Sequence, residues 1–325
     1  MKTMRVTELG PIENLEMIEV DSPPLRPGHV RIDILACGLN YVDSLFIEGK
    51  YQIKPPGPYH PGSEVVGRVT EVADDVTTLT VGQRVFAPVG TGGFSSEAVI
   101  SAARALPIPD SLTDGQGATF MQSYLTAWFA FKERMEVREG MTMLVLGAGG
   151  GIGLAAVDVG VALGMRVIAA ASSEDKRRLA LDRGAFATID VLTEDVKVRT
   201  RELSGGGVDV VYDPVGGDLA EPSLRALAPG GIFMVIGFVA GIPRLPANFV
   251  LLQNRSVVGV DWGYWVGRNP EGNARMIREV LAAIGEGRLD PVEPQIYPMS
   301  RAVDAMNDLK NRKVAGKVAL VPVWE

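Results

Sequence analysis

The run Leu144-Val-Leu-Gly-Ala-Gly-Gly-Gly-Ile-Gly-Leu-Ala-Ala is the stretch of this sequence best suited to binding chemistry. Aligned on its last glycine it reads Ala148-x-Gly150-x-x-Gly153, a variant of G-x-G-x-x-G. In such a turn Ala148 makes the tight bend, Gly150 lets a pyrophosphate approach the backbone, and Gly153 lets a helix pack closely on a strand. The phosphates sit at a helix N-terminus, where unpaired N–H groups point at them. The setting is the one this reading requires. A short apolar strand, Met143-Leu-Val-Leu, precedes the glycines, a helical run from Ile152 to Leu163 follows, and Arg166-Val-Ile-Ala-Ala-Ala reads as the next strand.

The end of that second strand indicates which dinucleotide is expected. A site for NAD usually places Asp or Glu there, to bond the ribose 2′-OH. This sequence has Ala170, Ala171, Ser172 and Ser173, then Lys176, Arg177 and Arg178. Small hydroxyls and a cation suit a 2′-phosphate, so NADPH is the expected cofactor. The alternative is that Lys176 to Arg178 form a solvated helix face.

Other chemistries find little material. The chain has no G-x-S-x-G elbow and no G-x-x-x-x-G-K-[ST] phosphate loop. Two His and one Cys leave few ligands for a metal and exclude internal disulfides. His29 and His60 read as structural, and Cys37 reads either as a reactive thiol or as a small buried hydrophobe.

The elements around these residues fall into three parts. Up to about residue 122 the sequence reads as strands and loops. His29-Val-Arg-Ile-Asp-Ile-Leu alternates with period two, Glu64-Val-Val-Gly-Arg-Val-Thr-Glu-Val is a second strand, and Lys54 to Pro61 is a proline-rich loop. From 123 to 260 strands alternate with helices, which predicts βαβ units and a parallel sheet. Beyond 261, Asn273 to Glu286 and Ser300 to Lys310 read as amphipathic helices, and Lys317-Val-Ala-Leu-Val-Pro-Val as a closing strand.

Composition sets the outer limits. The 325 residues are 46% hydrophobic and 22% charged, which is globular and excludes a disordered chain. A net charge of −7 makes nucleic acid a poor partner. No signal-peptide core or membrane span is visible, and one cysteine suits a reducing cytoplasm.

Five stretches, taken in order, resemble the medium-chain dehydrogenase/reductase superfamily. They are Ala36 to Asp43, Pro61 to Gly67, Val81 to Phe86, Gly147 to Gly153, and Gly205 to Gly217. Within it the sequence is similar to the zinc-free quinone oxidoreductases, the zeta-crystallin-like enzymes. The resemblance implies an α/β protein. Residues 1–122 and 261–325 would form a GroES-like catalytic domain. Residues 123–260 would form an inserted Rossmann domain, with the active site in the cleft. It matches Gly150, Ile152, Gly153, Ser172, Lys176 and Arg312 to cofactor positions, with Lys176 and Arg312 serving the 2′-phosphate. Asn40 and Tyr51 match polar residues of the substrate pocket. Asn40, Ser63 and Gln122 stand where zinc-bearing relatives keep Cys, His and Cys. A pocket Tyr of the relatives is Leu45 here, and an adenosine-stacking Tyr is Val191.

Without a metal or a tuned base, oxidation of a saturated alcohol lacks a means to remove its proton. A conjugated carbonyl accepts hydride more readily, and hydrogen bonds alone can polarise it. The expectation is therefore hydride transfer from NADPH to a quinone or an activated enone, in a cytoplasmic homodimer. Two alternatives stay open: an enoyl-thioester reductase of the same superfamily, and a cofactor-binding, non-enzymatic crystallin-like protein. The residues also leave open whether Asn40 only caps a turn and whether Tyr51 only packs its loop. Trp262, Tyr264 and Trp265 fit either a pocket or an interface.

Overall fold

The structure, a computed structural model, describes residues 1–51 and 54–325. Its contacts divide the chain into two units, residues 1–121 with 291–325, and residues 122–290.

The first unit opens with β1 (Lys2–Arg5) and β2 (Glu16–Glu19), paired antiparallel. Next come β3 (His29–Leu39), the short helix α1 (Tyr41–Ile47), β4 (Glu64–Val72), β5 (Arg84–Pro88), β6 (Glu97–Ser101) and β7 (Leu106–Pro107). Helix α2 (Asp114–Glu133) carries the chain into the second unit. The alternation read in β3 is real: Val30, Ile32 and Ile34 are buried and Asp33 is exposed. Past Ile34 the alternation stops. Ala36, Cys37, Gly38 and Leu39 are all buried, so both faces of β3 are covered there.

The second unit holds β8 (Thr142–Leu146), α3 (Gly151–Ala162), β9 (Arg166–Ala171), α4 (Glu174–Asp182), β10 (Ala187–Asp190), α5 (Val196–Ser204) and β11 (Val208–Asp213). It continues through α6 (Ala220–Ala226), β12 (Leu227–Val235), α7 (Ala247–Leu251), β13 (Ser256–Gly259), α8 (Trp262–Val266) and α9 (Pro270–Gly285). Its sheet runs β10-β9-β8-β11-β12-β13, with every pairing parallel. All five residues of β8 are buried, as expected of a parallel strand covered on both faces. Strand order reverses between β8 and β11. Ligands of doubly wound sheets bind at such a point, beyond the carboxyl ends of the strands.

The chain then returns to the first unit as β14 (Gln295–Pro298), α10 (Ala302–Lys310) and β15 (Val318–Val321). The larger sheet there runs β14-β15-β3-β4-β5-β7, with β6 also on β3. The β15–β3 and β3–β4 pairings are antiparallel. The C-terminal strand therefore lies beside β3, and β4 lies on its other side.

Residues 261–290, which the sequence reading grouped with the GroES-like part, lie in the second unit. They are held on α2. Trp128 Nε1 donates to Glu279 Oε2 at 2.8 Å, and the Phe129 and Trp265 rings stack with centroids 5.0 Å apart. Trp262 Nε1 donates to Asn273 Oδ1 at 3.1 Å, so two of the three aromatics pack on neighbouring helices. Tyr264 is exposed beneath the Arg268 guanidinium.

Asp158, buried in α3, ties the two ends of the second unit together. Tyr124 donates its hydroxyl to Asp158 Oδ2 at 2.7 Å, and the Asp290 N–H donates to the same oxygen at 3.2 Å. Arg183 pairs with the Asp290 carboxylate at 2.8 Å. Tyr124→Phe leaves a buried carboxylate short of a partner. It should cost about 1–3 kcal/mol, read as a lower midpoint in urea unfolding with an unchanged m-value.

Candidate functional site

The glycine turn between β8 and α3 has the geometry of a phosphate cradle. Gly147, with φ of +60°, makes the tight bend. The sequence reading gave that bend to Ala148. Ala148 is instead buried, and its N–H donates to the Ala170 carbonyl at 3.0 Å, because a positive φ favours a residue without Cβ. A Cβ on Gly153 would lie 2.3 Å from the Gly147 carbonyl oxygen, so close packing of helix on turn requires glycine there. Gly150 differs. It is the N-cap of α3, and an added Cβ would meet only the Gly147 oxygen, at an ordinary 3.5 Å. No side chain caps α3, and its first N–H groups, those of Gly151, Ile152 and Gly153, precede the first intrahelical bond, from Leu154 to Gly150. The turn fits a diphosphate.

Ser172 and Lys176 stand beside this turn. Ser173 caps α4 and accepts the Lys176 N–H at 3.4 Å, which places Lys176 in the first turn. A Cβ on Gly149 would lie 2.3 Å from Lys176 Cβ, so the lysine stem rests directly on the glycine turn. Arg177 is engaged elsewhere, with Asp190 at 3.1 Å and the Ala171 carbonyl at 3.3 Å, while Arg178 is exposed. The three adjacent cations are therefore not equivalent.

Arg312 belongs to the first unit, just past α10. Its φ is +60°, its N–H bonds the Leu309 carbonyl, and the Lys313 N–H bonds that of Asp308. This is a Schellman turn, whose left-handed position usually holds glycine. A side chain there costs about 1–2 kcal/mol.

Asn40 is the N-cap of α1, at the end of β3. Its side chain joins a buried polar cluster. Nδ2 donates to Glu64 Oε1 at 2.9 Å, and Oδ1 accepts from Lys317 Nζ at 2.6 Å. The Asn40 N–H donates to Asp43 Oδ2 at 2.7 Å. Asn40 is 7% exposed, and Glu64 and Asp43 1% each. Burial pushes the Asp43 carboxyl up to about 7; the Asn40 N–H opposes this, the Glu64 charge adds to it, and Lys317 pulls back. Burial lowers the Lys317 ammonium, while Glu64 and Asp43 hold it up. Tyr51 lies past the other end of α1, packed on Phe46 with ring centroids 4.6 Å apart. Seven helical residues put about 10 Å between the ends of α1.

Two family models match the chain: the alcohol dehydrogenase GroES-like domain over residues 26–110 and the zinc-binding dehydrogenase over residues 151–281. The chain is 36% identical to quinone oxidoreductase-like protein 2 of Bos taurus over 305 residues, 93% of this chain and 87% of that one. It is 34% identical to the quinone oxidoreductase of Pseudomonas aeruginosa over 309 residues, 93% and 94% of the two chains. The chain belongs to the zinc-free quinone oxidoreductase branch of the medium-chain dehydrogenase/reductase superfamily. The crystal structure of Escherichia coli quinone oxidoreductase complexed with NADPH superposes with a TM-score of 0.89 at 27% identity, covering 99% of this chain and 100% of that one.

The residues that the resemblance matches to the zinc ligands of other superfamily members do not fit the metal. Asn40, Ser63 and Gln122 are not ordinary zinc ligands. The Lys317 ammonium also lies against Asn40 Oδ1, the oxygen that amide would offer a cation. Cys37 is buried, and burial raises its thiol well above the usual range, so it is a core residue of this oxidoreductase. His60 Nδ1 lies 3.2 Å from Thr3 Oγ1, and His29 Nδ1 2.8 Å from the Pro27 carbonyl oxygen, both in structural contacts.

The sequence reading of the family pocket missed Glu64, Lys317 and Asp43. Asp43, three residues after an N-cap Asn, was a local signal that could have been read. Lys317 had none, being 277 residues from Asn40 in sequence.

Two glycine substitutions separate packing from ligand approach. Gly153→Ala should destabilise the protein by about 1–3 kcal/mol even without cofactor, because the clash is internal. Gly150→Ala should stay within about 1 kcal/mol of wild type yet bind NADPH markedly more weakly. Thermal unfolding and cofactor titration on both variants check this.

Proposed function

We propose that the protein is an NADPH-dependent reductase that delivers hydride to a quinone or an activated enone without a metal. The observation that carries this reading is the Asn40 carboxamide held between Lys317 and Glu64. The Lys317 ammonium already occupies the amide oxygen of Asn40, which supports an acceptor that hydrogen bonds alone can polarise. The quinone oxidoreductases among the relatives, and the NADPH complex of one of them, support it.

NADPH, when bound, supplies the hydride. The glycine turn and the N-terminus of α3 hold its diphosphate. Ser172 and Lys176 receive the 2′-phosphate, and the resemblance matches Arg312 to a cofactor position as well. Asn40 donates to the acceptor oxygen as negative charge develops there, and the Tyr51 hydroxyl is the second donor. Leu45, in place of a pocket tyrosine, makes that wall apolar.

NADPH oxidation followed by absorbance, with a quinone, an enone and a crotonyl-thioester as acceptors, tests the reading. Quinone and enone turnover is expected. Turnover of the thioester alone would make it an enoyl-thioester reductase, and binding without turnover a non-enzymatic protein. Asn40→Ala and Tyr51→Phe should each lower kcat with little change in NADPH affinity, and more for the enone than for the quinone. Lys176→Ala should weaken NADPH about ten- to a hundredfold and spare NADH. Arg312→Gly should weaken NADPH likewise while raising the melting temperature.

The reductase is proposed to act as a cytoplasmic homodimer joined along β13. That strand ends the parallel sheet, pairing only with β12 among the described strands. The same region exposes Ile242 (79%), Leu251 (76%), Leu252 (73%) and Val257 (42%). An open strand edge beside exposed apolar side chains invites a partner. No helix among the described residues is long and apolar enough to cross a membrane. Light scattering should give twice the chain mass, and Val257→Lys with Leu252→Asp should give the chain mass. A monomeric wild type would exclude the dimer.

A further inference from the structure

Three neighbouring strands deliver three polar side chains to one point. The β15–β3 register pairs Val318 with Leu39 and Ala319 with Gly38, and its continuation sets Lys317 opposite Asn40. The β3–β4 register pairs Cys37 with Val65, so Glu64, at the start of β4, falls opposite Gly38. Gly38 has to be bare. A Cβ there would lie 2.9 Å from Glu64 Oε1 and 2.3 Å from the Ala118 carbonyl oxygen.

The chemistry of the three groups leaves one arrangement. An ammonium has only donors, and a carboxylate has only acceptors. With Lys317 2.6 Å from one end of the Asn40 amide and Glu64 2.9 Å from the other, the first end must be the carbonyl and the second the NH₂. A flipped amide would set NH₂ against ammonium and carbonyl against carboxylate, exchanging two charge-assisted bonds for two repulsions. The Lys317 and Glu64 charges are themselves 4.0 Å apart, so the amide bridges them. One N–H of Nδ2 goes to Glu64, which leaves the second N–H for a ligand. The ammonium on Oδ1 also withdraws electron density from the amide and strengthens that N–H as a donor.

We propose that Lys317 and Glu64 are positioning residues that lock the Asn40 carboxamide with a donor toward substrate, so that this site takes acceptors presenting a carbonyl oxygen. The proposal rests on the reading that Asn40 faces the acceptor. It adds to that reading the two residues that fix which end of the amide meets the acceptor oxygen.

The test uses the full-length protein labelled with ¹⁵N-asparagine, the Asn40 side-chain signal being assigned by its loss in Asn40→Ala. The two Nδ2 protons should be well separated and slow to exchange with solvent. In Lys317→Met they should exchange at least about tenfold faster, and Lys317→Arg should restore the slow rate. With a saturating enone, Lys317→Met should lower kcat about ten- to a hundredfold, leave the NADPH Kd within about twofold, and be largely rescued by Lys317→Arg. In an Asn40→Ala background, Lys317→Met should have no further effect on kcat. If Lys317→Met alone fails to fold because Glu64 loses its neighbouring cation, Lys317→Met combined with Glu64→Gln removes both charges and takes its place in every arm. An amide signal unchanged by these variants, or a full loss of rate persisting in the Asn40→Ala background, overturns the proposal. If Asn40→Ala reduces every acceptor at the wild-type rate, the substrate reading falls, while the amide signal still decides whether the lock exists.

Discussion

A lysine ammonium that is 11% exposed has to be surrounded by acceptors, and that requirement shapes the heart of the first unit. Lys317 can meet it only because β15 returns from the far end of the chain to lie beside β3, with β4 on the other edge. The charge, the carboxylate of Glu64 and the amide of Asn40 thus hold three strands in register. A slip of one residue in either pairing would turn one partner to the opposite face of the sheet. Gly38 and the run of buried residues at the end of β3 follow from the same crowding.

The second unit solves a different problem, the approach of a charged ligand to bare backbone. Gly147 supplies a left-handed bend and Gly153 allows helix on turn, so both are required by the protein's own packing. Gly150 is not, and its bareness leaves a face for a diphosphate. Lys176 lies against the turn with its stem. In the first unit, Arg312 holds a backbone conformation that glycine would adopt without strain.

On the proposed reading, these features make a reductase that replaces metal chemistry with fixed dipoles and protein charges. Zinc would bring two positive charges and an open coordination position. Asn40 brings a neutral donor, oriented and polarised by a neighbouring cation that is already neutralised by acids. Such a site stabilises modest charge on an acceptor oxygen, which is what a conjugated carbonyl asks of it. Asp43, held protonated more readily than an ordinary aspartate, adds less negative charge to the cluster than an ordinary aspartate would.

The sequence by itself determined much of this. The glycine run between an apolar strand and a helix is local chemistry, and so is the lack of an acid from Ala170 to Ser173, because both depend on residues close together in the chain. The alternation of β3 and the βαβ rhythm of the second unit were legible for the same reason: periodicity reports which face is buried. Only the tertiary structure decided which residue of the glycine run makes the bend, since Ala148 and Gly147 differ in a dihedral angle that a motif alignment does not contain. It also placed residues 261–290 with the second unit, through contacts with α2 that no local pattern encodes. Above all it brought Lys317 to Asn40. A lysine before a terminal strand reads as an ordinary surface charge, and only strand order and register, set by the packing of the whole sheet, put it beside an amide 277 residues away.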